Sequence, residues 1–96
     1  MTGAISPAPG PLLLTLFVAG PSARTTRAVR NLQTVLVEVG RDPDAFELVD
    51  ILDDPAVAEE EGLLAAPTLS RTVPGPEVRI IGDLADHDVV RTALGL

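Results

Sequence analysis

The sequence has no cysteine, no tryptophan and no tyrosine, and only two phenylalanines among its 96 residues. Without cysteine there is no disulfide framework, no thiolate zinc site and no thiol redox chemistry by the chain itself. With two aromatic side chains, the core has to come from the aliphatic part of a composition that is 46% hydrophobic. Lysine is missing as well, so all seven positive charges are arginines, set against fourteen acids for a net charge of -7. A general affinity for nucleic acid or for an anionic membrane needs a basic surface, and this balance argues against both. Long apolar runs are also lacking. LLLTLFVAG (12–20) is too short to span a bilayer and no base precedes it, so it reads as a buried strand rather than a secretion signal.

What is present describes one small α/β domain. A chain of this length buries about 60 to 65% of its unfolded surface, enough for a single core. Residues 1–11, with three prolines and two glycines, read as a flexible lead-in, and residues 12–96 as the domain. After the first strand, Gly20-Pro21-Ser22 breaks the run, and Ala28, Val29, Leu32, Val35, Leu36 and Val39 recur at helical spacing up to Gly40. Ser22 is placed to cap this helix and Gly40 to stop it. AFELVDIL (45–52) predicts a second, parallel strand, and Asp54-Pro55 predicts a short helix with a capping carboxylate that ends near Gly62. LLAAPTLSRTV (63–73) and EVRII (77–81) predict a hairpin about Pro74-Gly75-Pro76, and ADHDVVRTALGL (85–96) a terminal helix capped by Asp86. The order βαβαββα is the thioredoxin-like arrangement, with Pro67 where such folds place a cis proline.

Charge is unevenly spread. Nine acids and no base lie between Asp42 and Gly62, while Arg24, Arg27 and Arg30 crowd into seven residues upstream. At a spacing of three these arginines drift about 60° per step and form one strip on the helix. They are candidate partner contacts; the competing reading is an ordinary solvated helix face with long arginine stems. Asp50, Asp53 and Asp54 could suggest a metal cluster, but strand end, solvated turn and helix cap account for them better. The single His87, flanked by acids, has no nucleophile to serve, so it reads as part of the helix start. Ser22 stands in the turn where thioredoxins keep their redox cysteines; an enzyme using it would need an activating base that the motif lacks.

Four segments resemble the KaiB family of circadian clock proteins: LTLFVAG (14–20), TTRAVRNL (25–32), LVDILDDPAVAEEEGLLAAPTL (48–69) and VRIIGDLAD (78–86). The resemblance implies a protein that is not an enzyme, needs no cofactor and acts in the cytoplasm. It implies binding to the KaiC ATPase and kinase ring and, in clock systems, sequestration of KaiA. The sensor domain of the histidine kinase SasA is similar, so a sensor-like domain that partners a histidine kinase is the alternative. Family members exchange between a self-associated form, with a differently folded C-terminal half, and a thioredoxin-like monomer. The latter is expected here, because the chain stops at Leu96 without the family's longer C-terminal segment.

For individual residues, the resemblance keeps a base at Arg27, Arg30, Arg71 and Arg79. It places Glu47 where a lysine is usual, and has Gly62 and Val78 in place of other bases. The candidate partner-binding residues are therefore Arg24, Arg27, Arg30, Glu47 and Arg71, on the first helix and the adjoining edge of the second strand. Pro67, Pro74 and Pro76 are candidate switch positions, because exchange at X-Pro bonds takes tens to hundreds of seconds. Gly82 and Asp83, in the IIGDL segment, join them.

Overall fold

The structure, a computed structural model, describes residues 10–95. Its elements run β1 (Leu13–Val18), α1 (Ala23–Glu38), β2 (Glu47–Asp50), α2 (Pro55–Glu60), β3 (Thr68–Val73), β4 (Val78–Ile81) and α3 (His87–Ala93). This is the βαβαββα order expected from the sequence. The four strands form one sheet in the order β2-β1-β3-β4. β1 pairs parallel to β2 and antiparallel to β3, and β3 pairs antiparallel to β4.

Local chemistry sets the boundaries of α1. Ser22 holds an extended backbone and accepts from Thr25 N–H at 3.1 Å, satisfying one of the first-turn donors. At the other end Gly40 has φ +80°, Gly40 N–H reaches Val37 O and Arg41 N–H reaches Leu36 O, closing a Schellman turn. α2 begins differently from expectation. Asp54 occupies the cap position, but its carboxylate accepts no bond from the helix. The start rests on Pro55, whose ring presets φ and whose missing N–H is one the first turn does not use. β2 is also shorter than predicted. Asp42 Oδ1 accepts from Asp44 N–H at 2.8 Å and Asp42 O from Ala45 N–H at 3.1 Å, so a turn extends to Phe46 before pairing begins.

Alternation along the strands separates two faces. On one, Leu14, Leu16 and Val18 of β1 and Leu69 of β3 meet Ala28, Leu32, Val35 and Leu36 of α1, with Leu84, Val90 and Leu94 from the loop and helix that follow β4. The opposite face carries Thr15, Phe17, Thr68, Ser70 and Arg79. There Arg79 holds the C-terminal end of α2, donating to Glu61 O at 2.6 Å and to Glu61 Oε1 at 3.0 Å. The aliphatic core foreseen from the shortage of aromatics is therefore a leucine and valine layer between the sheet and two helices.

Leu32 is fully buried in that layer, whereas Leu48 on the edge strand is 52% exposed. Leu32→Ala is expected to lower stability by about 2–5 kcal/mol and Leu48→Ala by less than about 0.5 kcal/mol, as read from urea midpoints.

Candidate partner-binding site

The arginine strip lies on α1, but the structure divides it. Arg27 Nε donates to Asp83 Oδ2 at 3.1 Å, reaching across to the loop between β4 and α3. Arg24 and Arg30 are exposed, and among the described residues neither takes part in an ion pair. Arg24 is the second residue of the helix, where the macrodipole disfavours a cation by roughly 0.3–1 kcal/mol.

The loop that receives Arg27 is built on backbone geometry that side chains do not favour. Gly82 has φ +119° and Leu84, a buried leucine, has φ +64°. A left-handed conformation costs a residue with a Cβ roughly 1–2 kcal/mol. Several bonds offset this cost. Asp83 Oδ1 accepts from Ala85 N–H at 3.2 Å, and Asn31 Nδ2 on α1 donates to Asp83 O at 2.8 Å. Asn31 Oδ1 in turn lies 3.1 Å from His87 Nε2 at the start of α3. The Arg27 guanidinium, hydrogen-bonded to Asp83, holds that carboxyl below its ordinary range, with the Ala85 amide and the charge of Arg24 adding to the effect.

The other candidate residues are dispersed. Glu47 is exposed at the first position of edge strand β2, opposite Thr15, and so lies on the face away from the helical layer. Arg71 is at the far end of the sheet from Arg24. It donates from one terminal nitrogen to Ala93 O at 2.8 Å and from the other to Pro76 O at 3.2 Å, joining the last turn of α3 to the β3–β4 turn. Pro67 and Gly82 are neighbours, since Gly82 N–H donates to Pro67 O at 2.9 Å. The Ala66-Pro67 bond is cis, as are Val73-Pro74 and Gly75-Pro76. Gly82 and Pro67 thus lie at the end of the sheet where α1 starts, and Pro74 and Pro76 at the opposite end.

The acids and hydroxyls singled out in the sequence have structural positions. Asp86 caps α3 by accepting from Val89 N–H at 3.2 Å. Asp50 Oδ1 accepts from both Gly20 N–H and Leu52 N–H at 2.9 Å, a pair of contacts that its place at a strand end did not foretell. Among the described residues no three His, Cys, Asp or Glu side chains gather into a metal site. Ser22 Oγ contacts Thr25 Oγ1 at 3.2 Å while capping α1, so the hydroxyl in the thioredoxin-type turn is engaged with the helix start. No helix among the described residues is long and apolar enough to cross a membrane.

Sheet order, helical layer and the thiol-free turn between β1 and α1 define a thioredoxin-like domain without redox cysteines. Solved structures bear this out. The N-terminal domain of Synechococcus elongatus SasA superposes with a TM-score of 0.72 at 26% identity, covering 98% of this chain and 94% of that one. Mitochondrial thioredoxin 3 of Saccharomyces cerevisiae gives 0.67 at 19% identity, covering 88% of this chain and 76% of that one. The KaiB domain profile matches residues 15–96. The circadian clock oscillator protein KaiB of Parasynechococcus marenigrum is 42% identical over 84 residues, 88% of this chain and 81% of that protein. The chain belongs to the KaiB family.

The Arg27–Asp83 contact makes stability depend on pH with a defined sign. A carboxyl whose pKa is lower in the folded state adds stability that is complete above its unfolded value and disappears as pH falls through the folded one. The contribution of Asp83 is therefore expected to be whole at neutral pH and to drain away below its ordinary 3.8. Asp83→Asn, compared with the parent by urea unfolding at pH 7 and at pH values near 3, is expected to be the less stable protein at pH 7 and to lose less on acidification.

Proposed function

We propose that the chain is a non-catalytic clock or regulatory protein that docks on a KaiC-type ATPase and kinase ring and modulates its phosphorylation or activity. The reading is carried by Arg24 and Arg30: exposed cations on α1 that form no ion pair among the described residues, in a protein of net charge -7. A carboxylate-bearing partner surface complements them, and placing opposite charge against them favours one docking orientation. Arg27 contributes through its remaining exposed surface and through its hold on Asp83. Glu47 adds a contact at the open edge of β2, and Arg71 bears on docking through the seating of α3. Family membership supports a KaiC-type ring as the partner, with a KaiA-like regulator joining where the host has one, in the cytoplasm and without a cofactor.

The SasA-like reading has its own support, the superposition over nearly the whole of both chains. In that reading the domain is a sensor that partners a histidine kinase in trans. Both readings use α1, and they part on whether the ring binds the chain alone.

Charge reversal at Arg27 and Arg30 is expected to abolish binding to the host's KaiC-type ring while leaving the circular dichroism spectrum intact. Arg30→Glu alone, which disturbs no ion pair seen here, separates a surface contact from the Arg27–Asp83 bond. Unchanged affinity in both variants would sink the reading.

We also read Gly82, Asp83 and Leu84 as the junction at which the C-terminal half takes a second arrangement, together with Pro67, Pro74 and Pro76. The support is the left-handed backbone at buried Leu84, which is relieved when that loop refolds and which the Arg27 and Asn31 contacts oppose. A second set of proton–nitrogen peaks for residues 68–95, in slow exchange with the first, is the expected observation. A single set across temperature and protein concentration counts against it.

A further inference from the structure

Gly20 is buried, and both of its backbone groups are held by side chains. Its N–H donates to Asp50 Oδ1 at 2.9 Å and its carbonyl accepts from Thr25 Oγ1 at 2.9 Å. The same Asp50 oxygen accepts from Leu52 N–H. The Leu52 side chain lies against Gly20, where an added Cβ would stand 2.8 Å from Leu52 Cδ1, and Gly20 itself has φ +68°. One carboxylate oxygen therefore joins the end of β2 to the turn that launches α1, across 30 residues of sequence.

The first turn of α1 needs such a tie. Its first buried side chain is Ala28, so residues 23–27 are not anchored by the core layer that fixes Leu32, Val35 and Leu36. Besides the helix's own backbone bonds and the Arg27–Asp83 contact, this turn is held by the Gly20 peptide, tied on both sides, and by the Ser22 cap. Arg24 rides on this turn. Arg30 lies beyond Ala28 and is positioned by the packed part of the helix.

We infer that Asp50 is a positioning residue for docking: by holding Gly20 it fixes the first turn of α1 and so the place where Arg24 presents its guanidinium to a partner. This rests on the reading of α1 as the docking helix. The bonds use one oxygen as acceptor, so the amide oxygen of an asparagine can replace it, and the negative charge is not what the role requires.

The test measures affinity of the full chain for the host's KaiC-type ring in the presence of ATP. Asp50→Ala is expected to weaken binding about five- to tenfold, and Asp50→Asn to return it to within about twofold of the parent. In an Arg24→Ala background Asp50→Ala costs little more, while in an Arg30→Ala background it costs its full factor. A role in global stability alone would act equally in both backgrounds. Thr25→Val cuts the other tie to Gly20, is expected to show the same dependence on Arg24 with a smaller loss, and carries the test if Asp50→Ala does not fold. Parent-like affinity of Asp50→Ala and Thr25→Val, or an equal loss in both backgrounds, overturns the inference. If charge reversal of Arg27 and Arg30 leaves binding intact, it is instead the docking reading that falls.

Discussion

The double pairing of β1 is the constraint from which the rest of the molecule follows. One edge takes β2 in parallel and the other takes β3 antiparallel. A parallel neighbour that is next in the chain demands a crossover, and the crossover is α1, laid on the face that carries Leu14, Leu16 and Val18. The antiparallel partner brings β3 and β4 back beside it and leaves α3 to complete the same layer. Alternation along β1 fixes which of its residues face the helical layer. A slip of one residue would turn Thr15 toward the leucines and Leu16 toward the opposite face. The placement of α1 over the sheet thus follows from a strand that itself carries no charge.

The thiol-free turn is tied to the rest of the molecule by its own polar groups. In a thioredoxin-like fold the segment between β1 and α1 is the reactive corner. Here it reads Ala19-Gly20-Pro21-Ser22, and the glycine peptide groups and the serine hydroxyl have structural tasks. The serine hydroxyl caps the helix, the glycine N–H meets Asp50 and the glycine carbonyl meets Thr25. What these bonds supply is a fixed start for the helix that leaves the corner.

Much of this was legible in the sequence, and the legible parts share a property: each has a local cause. Ser22, Gly40 and Asp86 end or start helices through bonds to residues within a few positions, so residue type and spacing sufficed to place them. The illegible parts are contacts between distant segments. Nothing near Asp50 points to Gly20, nothing near Arg27 points to Asp83 56 residues later, and nothing near Arg71 points to the carbonyl of Ala93. Regular spacing made Arg24, Arg27 and Arg30 look equivalent, yet they differ because α3 and its loop approach only one side of α1. Asp54 illustrates the converse error. Residue type and the following proline fit a capping carboxylate, but with ψ 78° the backbone does not bring its oxygen onto the first turn.

The arginines bear on how a partner would meet this molecule before touching it. Arg27, Arg41, Arg71, Arg79 and Arg91 each donate to an acceptor in another segment. Arg71 does so with two nitrogens aimed at two carbonyls, a fork that a single ammonium does not offer. The absence of lysine therefore leaves most of the positive charge built into the framework, close to its acceptors. The long-range field is then set by the surplus of carboxylates, with α1 as the place where cations face outward. On the proposed docking reading, an acidic partner surface meets repulsion from most of the molecule and local attraction where Arg24 and Arg30 face outward. Added salt screens that local attraction and the repulsion around it alike, so the contrast between orientations narrows.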